Sequence, residues 1–374
     1  MIKIKTFLIS TAFVFFASAI LYAQCGTCSG SPFNLTWQGW TLQVVRPCLT
    51  QATTAGGRGG GLEIDNATYN GKLVFSKAHT PIVAVKYEND SCGPYRDWQF
   101  QETRFDCTNV TGPGRCDGPA TTNCDMADGN DTGSFCGVSV DDQGSKLVLT
   151  TNVQAGWYRY ILKWIFYPDG TFHPEAYFGA VSDPCVNNPH VHLVYWRLDM
   201  DIESSTPNLF EEHNTYKKPT PSNLANLNEP DATYWEAWDN MFLEVARNKQ
   251  IDGTRWWRVR NTTTNRAYLI YPPETLKKKN IDEVLFVPQI SDLWVLNYSN
   301  TNQEETDDSG DGTRYWGHLN NFLNDTITSD VPNPNVDRVM WFSGAVLHQY
   351  EAASPQCHKA NAPWFLPDPS STPW

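Results

Sequence analysis

The chain has 374 residues, of which 40% are hydrophobic and 18% charged, and it contains 15 tryptophans. A chain of this length can bury a large hydrophobic core. The formal net charge of −13 argues against a nucleic-acid partner, because binding to phosphates depends on an excess of lysine and arginine.

Residues 1–23 have the pattern of a secretory signal peptide. Lys3 and Lys5 precede an apolar run, which ends close to a plausible cleavage position before Gln24. The run is too short to span a membrane, and no later run approaches the necessary length. We therefore expect a secreted protein, extracellular or periplasmic, with no membrane partner, whose residues 24–374 form one domain.

Cysteines are frequent in the part of the chain after the signal pattern. They are Cys25, Cys28, Cys48, Cys92, Cys107, Cys116, Cys124, Cys136, Cys185 and Cys357. An even number of cysteines in an exported chain favours disulfides over metal thiolates. Cys25 and Cys28 have the spacing of a redox or zinc half-site. Neither a second such pair nor a helix pattern follows, so we interpret them as part of a disulfide staple near the N-terminus.

Most of the remaining chain consists of short β-rich runs separated by Pro, Gly, Asn and Asp. The runs are 35–45, 71–77, 81–88, 146–153, 157–167, 190–202, 255–261, 267–272, 292–298 and 338–347. This pattern predicts an all-β fold, a large antiparallel β-sandwich with a few short helices. The helix candidates are residues 232–248 and 313–325.

A glycine-rich segment, residues 56–61, has the composition of a phosphate-binding loop. It lacks the Lys-Ser/Thr pair and the helix that such loops require. We therefore interpret the segment as a flexible hairpin loop.

Two histidines stand two positions apart, His190 and His192, inside a run that reads as a strand. Side chains at i and i+2 of a strand share a face and lie about 6–7 Å apart along the chain. Two imidazoles can therefore converge on one ion, and imidazole suits copper, zinc, iron or nickel. Such a pair is more often incidental than a ligand pair, so its meaning depends on the rest of the chain.

The order of the segments resembles the catalytic domain of the copper amine oxidases, from about Leu35 to the C-terminus. The stretch YRYILKWIFYPDG is similar to the strand that carries the quinone-forming tyrosine of that family. HVHLVYWRLDMDI is similar to the stretch with two copper ligands, and NVDRVMWFSGAVLHQYE to the stretch with the third. The resemblance implies an enzyme that converts a small primary amine, O2 and water into an aldehyde, ammonia and hydrogen peroxide. It also implies a homodimer.

The resemblance assigns three histidines to Cu(II). His190 and His192 match the paired ligands, and His348 matches the third ligand in separation and local sequence. Three imidazoles with open positions bind copper strongly and leave room for water or oxygen. For His348 alone, the alternative is a core histidine.

The resemblance also implies a second metal site that is built from oxygen ligands. Asp199, Asp201 and Asp337 stand at the intervals of the family's carboxylate ligands. Carboxylates on one strand face, joined by a third carboxylate and by backbone carbonyls, suit a hard cation such as Ca(II). The alternative is a surface acidic cluster without an ion.

Tyr158 matches the tyrosine that copper and O2 oxidise to topaquinone in the family. Its neighbours differ from the family motif, since Gln154 stands for Thr, Trp157 for Asn and Arg159 for Asp or Glu. The family's Asn helps to orient the quinone, and an indole offers one donor and no acceptor in its place. These departures support an alternative, a relative that binds copper but never forms the quinone.

Three further residues receive roles from the resemblance. Tyr95 and Asp97 match a Tyr-x-Asp motif, in which the tyrosine gates the substrate channel and the aspartate removes the substrate Cα proton. For Asp97 the alternative is an ordinary loop aspartate. Tyr87 would donate a hydrogen bond to the quinone oxygen. The family also places a disulfide where Cys116 and Cys136 stand.

A third interpretation follows from the tryptophan content and the acidity alone, a sugar-binding sandwich module. It leaves the ordered spacings of histidines and aspartates as coincidences. The leading interpretation is therefore a secreted copper- and topaquinone-dependent amine oxidase, with the copper-binding relative as its main rival.

Overall fold

The computed structural model describes residues 25–26, 28–54, 59–87, 92, 95–97, 101–122, 133–155, 158–180, 185, 188–217, 234–241, 245–247, 255–273, 292–298, 334–348, 358–360 and 362–374. Within these ranges the chain forms β-strands and one 3-10 helix, Pro47–Ala52.

The strands of the N-terminal half are β1 (Phe33–Trp37), β2 (Trp40–Val45), β3 (Glu63–Tyr69), β4 (Lys72–Tyr87), β5 (Tyr95–Asp97), β6 (Gln101–Glu102), β7 (Val110–Gly112), β8 (Arg115–Asp117), β9 (Val138–Asp142), β10 (Leu147–Ala155), β11 (Tyr158–Phe166) and β12 (Phe172–Ala180). Those of the C-terminal half are β13 (His190–Asp199), β14 (Asn208–Lys217), β15 (Tyr234–Met241), β16 (Val245–Arg247), β17 (Trp256–Asn261), β18 (Ala267–Tyr271), β19 (Leu293–Asn297), β20 (Arg338–His348), β21 (His358–Ala360) and β22 (Trp364–Pro367).

These strands form two sheets. The first sheet has the order β1-β2-β3-β4-β13-β20-β19-β16, with β5 also paired to β4. The second has the order β15-β14-β17-β18-β22-β12-β11-β10-β9-β8-β7, with β21 on β12 and β6 on β10. Among the described strands, β8 and β9 pair in parallel and all other pairs are antiparallel. The prediction of an all-β antiparallel sandwich is confirmed.

The inner faces of the two sheets pack against each other. Trp40 of the first sheet contacts Phe166 and Phe172 of the second, with ring centroids 5.0 and 5.9 Å apart. The side chains of β11 alternate between its two faces, so Tyr158 and every second residue after it enter this shared core. β13 lies at the centre of the first sheet, and all 10 of its residues are buried. Both faces of this strand are therefore covered.

The helix predicted over residues 232–248 is wrong. The described parts of this segment form β15 and β16. The segment is rich in tryptophan and tyrosine, and pairing with β14 and β19 outweighs its weak helical period. The second helix candidate, 313–325, lies outside the described residues.

The glycine-rich segment is closely packed where the structure describes it. Gly59, Gly60 and Gly61 are buried, which corrects the expectation of a flexible hairpin loop. A Cβ on Gly61 would lie 2.2 Å from a methyl carbon of Leu162, a core residue of β11. The glycines therefore allow the backbone to approach the core closely.

The described cysteines are all in disulfides, which are Cys25–Cys136, Cys28–Cys48, Cys92–Cys185 and Cys107–Cys116. The first two attach the N-terminal segment to the sandwich, in agreement with a staple. Disulfides in this number are consistent with an extracellular or other non-cytoplasmic protein. No helix in the described ranges has the length and hydropathy needed to span a membrane.

The expected pairing of Cys116 with Cys136 is wrong. Cys116 lies in β8 and bonds Cys107, which precedes the hairpin of β7 and β8. Cys136 is thereby left to bond Cys25 at the N-terminus. Two cysteines that the sequence contains, Cys124 and Cys357, lie outside the described residues.

Candidate active site

Three residues of the predicted site stand directly opposite one another across the first sheet. Tyr87 of β4, His190 of β13 and His348 of β20 share one row of the strand register. His192 follows two positions later on β13, on the same inner face as His190. Both imidazoles of β13 are completely buried. For His348 the structure describes the backbone position.

Tyr158 approaches this row from the second sheet. Its hydroxyl lies 2.7 Å from Nε2 of His190 and 3.3 Å from the hydroxyl of Tyr87. Its ring meets the ring of His192 edge to face, with centroids 4.5 Å apart. The sandwich therefore brings together the predicted quinone tyrosine, its predicted hydrogen-bond partner and two predicted copper ligands.

The hydrogen bonds of His190 indicate which ring nitrogen carries the proton. Nδ1 lies 2.6 Å from the carbonyl oxygen of Asn188, so Nδ1 donates its N–H there. Nε2 then keeps its lone pair, which accepts the hydroxyl of Tyr158. Burial, together with the nearby His358, lowers the pKa of His190 to about 4, although the bond to Asn188 opposes the shift. His190 is therefore neutral at neutral pH, as a metal ligand must be.

The donors at this place fit copper. The rings of His190 and His192 have centroids 4.9 Å apart, and the register places His348 opposite the first of them. Neutral imidazole nitrogens in a buried layer are donors that Cu(II) prefers. The carbonyl bond of His190 is the kind of outer contact that orients metal-binding histidines.

The strand β5 carries the other two residues with predicted roles. Tyr95 is opposite Val85 and Asp97 is opposite Val83, so β5 lies on the edge of β4 away from β13. Because His192 is also opposite Val85, the backbone of Tyr95 lies in the row of His192, two strands away. The register brings both residues to the same end of the sandwich as the histidines.

The residues that depart from the family motif lie away from the Tyr158 hydroxyl, as far as they are described. Arg159 pairs with Gln154 in the register of β10 and β11, on the outer face of the second sheet. Tyr158 occupies the inner face, so the guanidinium of Arg159 is on the other side of the strand. Trp157 lies outside the described residues.

The three aspartates of the predicted second site form one cluster. Carboxylate oxygens of Asp199, Asp201 and Asp337 lie within 4.8 Å of one another. Burial, together with the nearby Asp337, raises the pKa of Asp201 to about 6, against a hydrogen bond from Ser76 and the charge of Arg197. Asp337 also has a raised pKa, because it is partly buried. The donor set is one that a hard cation such as calcium accepts.

One aromatic residue and one histidine near the site had no signal in the sequence. Phe178 of β12 contacts the ring of His192, with centroids 3.9 Å apart. His358 is opposite Phe178 in β21 and contacts its ring at 5.4 Å. These contacts depend on the pairing of β21 with β12, which hydrophobic periodicity does not reveal.

No protein-family model and no curated protein sequence matches the chain. Solved structures do match it in fold. A copper-containing benzylamine oxidase from Hansenula polymorpha has a TM-score of 0.55 at 13% identity, over 90% of this chain and 59% of that one. An amine oxidase from Aspergillus nidulans has a TM-score of 0.52 at 12% identity, over 90% and 51%.

A lysyl oxidase from Pichia pastoris matches with a TM-score of 0.52 at 13% identity, over 90% of this chain and 51% of that one. The chain thus spans between half and three fifths of the length of these structures. At such low identity the likeness concerns the fold. The fold of this chain is therefore related to that of the copper amine oxidases.

Proposed function

We propose that this chain is a secreted, copper-dependent primary-amine oxidase in which Tyr158 is the precursor of the quinone cofactor. One observation carries the proposal: the Tyr158 hydroxyl lies 2.7 Å from Nε2 of a buried, neutral His190. Nε2 is the nitrogen of His190 that is left to bind a metal, since Nδ1 is used by the carbonyl of Asn188, so the Tyr158 hydroxyl is within reach of any metal bound there.

The copper ligands in this proposal are His190, His192 and His348. Bound copper with O2 would supply the oxidation of the Tyr158 ring, and the resulting topaquinone would supply the electron sink for amine oxidation. The layer between the sheets excludes bulk water from Tyr158, which is 2% exposed. The hydroxyl of Tyr87, 3.3 Å from that of Tyr158, holds the ring oxygen in place.

Asp97 is the proposed base that removes a proton from the carbon beside the substrate nitrogen. Tyr95, two positions earlier on β5, is the proposed gate. The register supports both roles, because it places this strand beside β4 at the end where Tyr87 and His190 stand. The net reaction converts RCH2NH2, O2 and H2O into RCHO, NH3 and H2O2, and the identity of R depends on loops between the strands.

The aspartate cluster is proposed as a calcium site. Asp201 has a buried carboxylate oxygen without a hydrogen bond, and its neighbours supply two more carboxylates. An ion there would hold the end of β13 to the start of β20. The proposal also includes a homodimer, and it treats residues 24–374 as one catalytic domain after a signal peptide.

The proposal is tested by mass spectrometry of the peptide that contains Tyr158, after metal-free protein receives Cu(II) in air. We expect a gain of two oxygen atoms and a loss of two hydrogens on Tyr158. Tyr160→Phe is the matched control, since Tyr160 is buried on the same face of β11, two positions later. This variant should keep the modification, and Tyr158→Phe should abolish it.

An unmodified Tyr158 in protein that retains copper would contradict the proposal. That outcome would leave the alternative, a copper-binding relative without oxidase activity.

A further inference from the structure

The outer face of the second sheet carries a row of ring side chains that no part of the oxidase proposal uses. His213 of β14 is opposite Trp256 of β17. Trp257 is paired with Ile270 of β18, so the next position of the register puts Trp256 opposite Tyr271. The row continues on the next two strands. We call the whole set, His213, Trp256, Tyr271, Trp364 and His173, the aromatic row.

The aromatic row crosses five neighbouring strands in their spatial order, β14-β17-β18-β22-β12. Adjacent strands lie about 4.8 Å apart, so the row is about 19 Å long from end to end. The solvent face of an antiparallel sheet normally carries polar side chains, because the other face supplies the core. Trp256, Tyr271 and Trp364 depart from that rule and are partly or fully exposed, whereas the two end rings of the row, His213 and His173, are buried.

The rings of the row contact one another except at one gap, between Tyr271 and Trp364. His213 stacks on Trp256 with centroids 3.9 Å apart, and Trp256 stacks on Tyr271 at 5.6 Å. At the other end, His173 stacks on Trp364 at 4.1 Å and an angle of 8°. Of these described rings, Tyr271 and Trp364 are register neighbours without a ring contact between them.

Trp364 borders this gap and is the most exposed ring of the row. The imidazole of His173 covers one face of the indole, while 37% of the residue remains exposed to solvent. Tyr167, in the turn after β11, approaches the same indole at 5.8 Å. The free side of Trp364 is therefore an apolar surface, held in place from behind and flanked by a second aromatic ring.

Charged groups border the row next to His173. Lys359 forms an ion pair with Glu175, and the Tyr177 hydroxyl donates to the same carboxylate at 2.9 Å. Hydrogen bonds from His173, Lys359 and Tyr177 hold the pKa of Glu175 at about 2, although burial opposes them. Lys163 lies over the ring of Tyr177, 4.9 Å from its centroid.

A second charged group borders the row next to Trp256. Arg258 donates to Glu211 and, at 3.0 Å, to Asp368. Arg260 donates to the same Glu211 at 2.9 Å. These guanidinium and carboxylate groups are thus held in pairs, with donors and acceptors fixed along the row.

Charged side chains beside the row are held in ion pairs, although the whole chain is acidic. Lys359 is paired with Glu175, Arg258 with Glu211 and Asp368, and Arg260 with Glu211. The chain as a whole has a net charge of −13. Charges that neutralise each other in pairs attract neither a cation nor a polyanion strongly, so an uncharged ligand fits this surface best.

We propose that the aromatic row binds an extended, uncharged polysaccharide, with Trp364 as its most exposed aromatic contact. A pyranose ring has apolar C–H faces that pack on indole and phenol rings, and hydroxyls that exchange hydrogen bonds with paired Lys, Arg, Glu and Asp side chains. The three accessible rings, Trp256, Tyr271 and Trp364, are on the adjacent strands β17, β18 and β22, an arrangement that suits successive units of an extended sugar chain. The site is on the opposite face of the second sheet from Tyr158, so it is independent of the oxidase proposal.

The test is retention of the full chain on insoluble polysaccharide, measured as the fraction depleted from solution by microcrystalline cellulose, chitin and insoluble mannan. We expect retention on at least one of the three. Trp364→Ala should lower the bound fraction at least about tenfold, as loss of a central aromatic anchor does at other binding sites. Soluble oligosaccharide of the retaining polymer should release the wild-type protein, which tests the proposal without any variant.

Tyr298→Ala is the matched control, because Tyr298 is 38% exposed and follows β19 in the first sheet. It should be retained like the wild type. The proposal is overturned if none of the three polymers retains the wild type, or if Trp364→Ala is folded and retained equally. Self-association of the protein that requires Trp364, without retention on polysaccharide, would also overturn it and identify a second copy of the chain as the occupant.

Discussion

The aspartate cluster makes a quantitative prediction about stability without metal. Asp201 is 4% exposed, and its pKa is raised from 3.8 to about 6. The folded state therefore holds the Asp201 proton more tightly than the unfolded state does. The contribution of Asp201 to stability is highest below pH 3.8, falls as the pH rises toward 6, and remains lowered above that pH. The change Asp201→Asn removes the charge and keeps the shape.

The size of the effect follows from the shift. A difference of about two pKa units corresponds to about 3 kcal/mol of lost stability at neutral pH. For a chain of 374 residues, an unfolding entropy of about 2.1 cal/mol/K per residue converts this energy into a melting-temperature change of about 4 °C. At pH 7 in chelator, Asp201→Asn should therefore melt about 4 °C above the wild type, whereas at pH 4 the difference should nearly vanish.

Calcium should reverse the order of the two melting temperatures, so that the wild type melts above Asp201→Asn. At a free concentration of about 1,000 Kd, binding adds about 4.1 kcal/mol to the wild type, which exceeds the loss of about 3 kcal/mol, and much less to a variant that lacks one carboxylate. The assay is calorimetry of both proteins at pH 4 and pH 7, with chelator or with calcium. The reasoning is refuted if Asp201→Asn melts below the wild type at pH 7 in chelator. A wild type that does not respond to calcium would refute the metal site.

Three other predictions concern single side chains. Glu102→Ala leaves the buried guanidinium of Arg46 without its carboxylate. The free energy of unfolding, measured in urea, should therefore fall by about 3–5 kcal/mol. A fall of less than about 1 kcal/mol would mean that the pair is unimportant. Gly137→Ala places a Cβ 2.2 Å from the carbonyl oxygen of Gly114 at a backbone φ of +135°, and the same assay should reveal a loss of at least about 1–3 kcal/mol. His190→Ala should weaken Cu(II) binding at least about a hundredfold in a chelator competition, because even outer partners of metal ligands contribute tenfold or more. Unchanged affinity would remove His190 from the copper site.

The sequence was informative wherever local pattern decides the structure. Alternation and turn residues were enough to place most strands, including β11 and β13. The two-residue spacing of His190 and His192 implied a shared face, and the structure has that arrangement. These features depend on a period of two along one strand, which can be read without knowledge of the partner strands.

The errors have a common cause in long-range pairing. The pairing of β15 with β14 and the bond between Cys25 and Cys136 both join segments that are distant or locally ambiguous. Local propensity gives little information about either, since tertiary contacts decide them. The neighbourhood of His358 was missed for the same reason, because its strand meets β12 only in the folded chain.

The row formed by Tyr87, His190 and His348 also has a consequence for the order of events during folding. His190 follows Tyr87 by more than a hundred residues and precedes His348 by more than a hundred. His348, the third proposed copper ligand, is therefore synthesised last. It joins His190 and His192 only when β20 pairs with β13, which is a slow step because the two strands are distant in sequence. A nascent chain that has not reached β20 offers a metal only two of the three proposed ligands, His190 and His192. Tight copper binding would thus report that the C-terminal strands of the first sheet have docked.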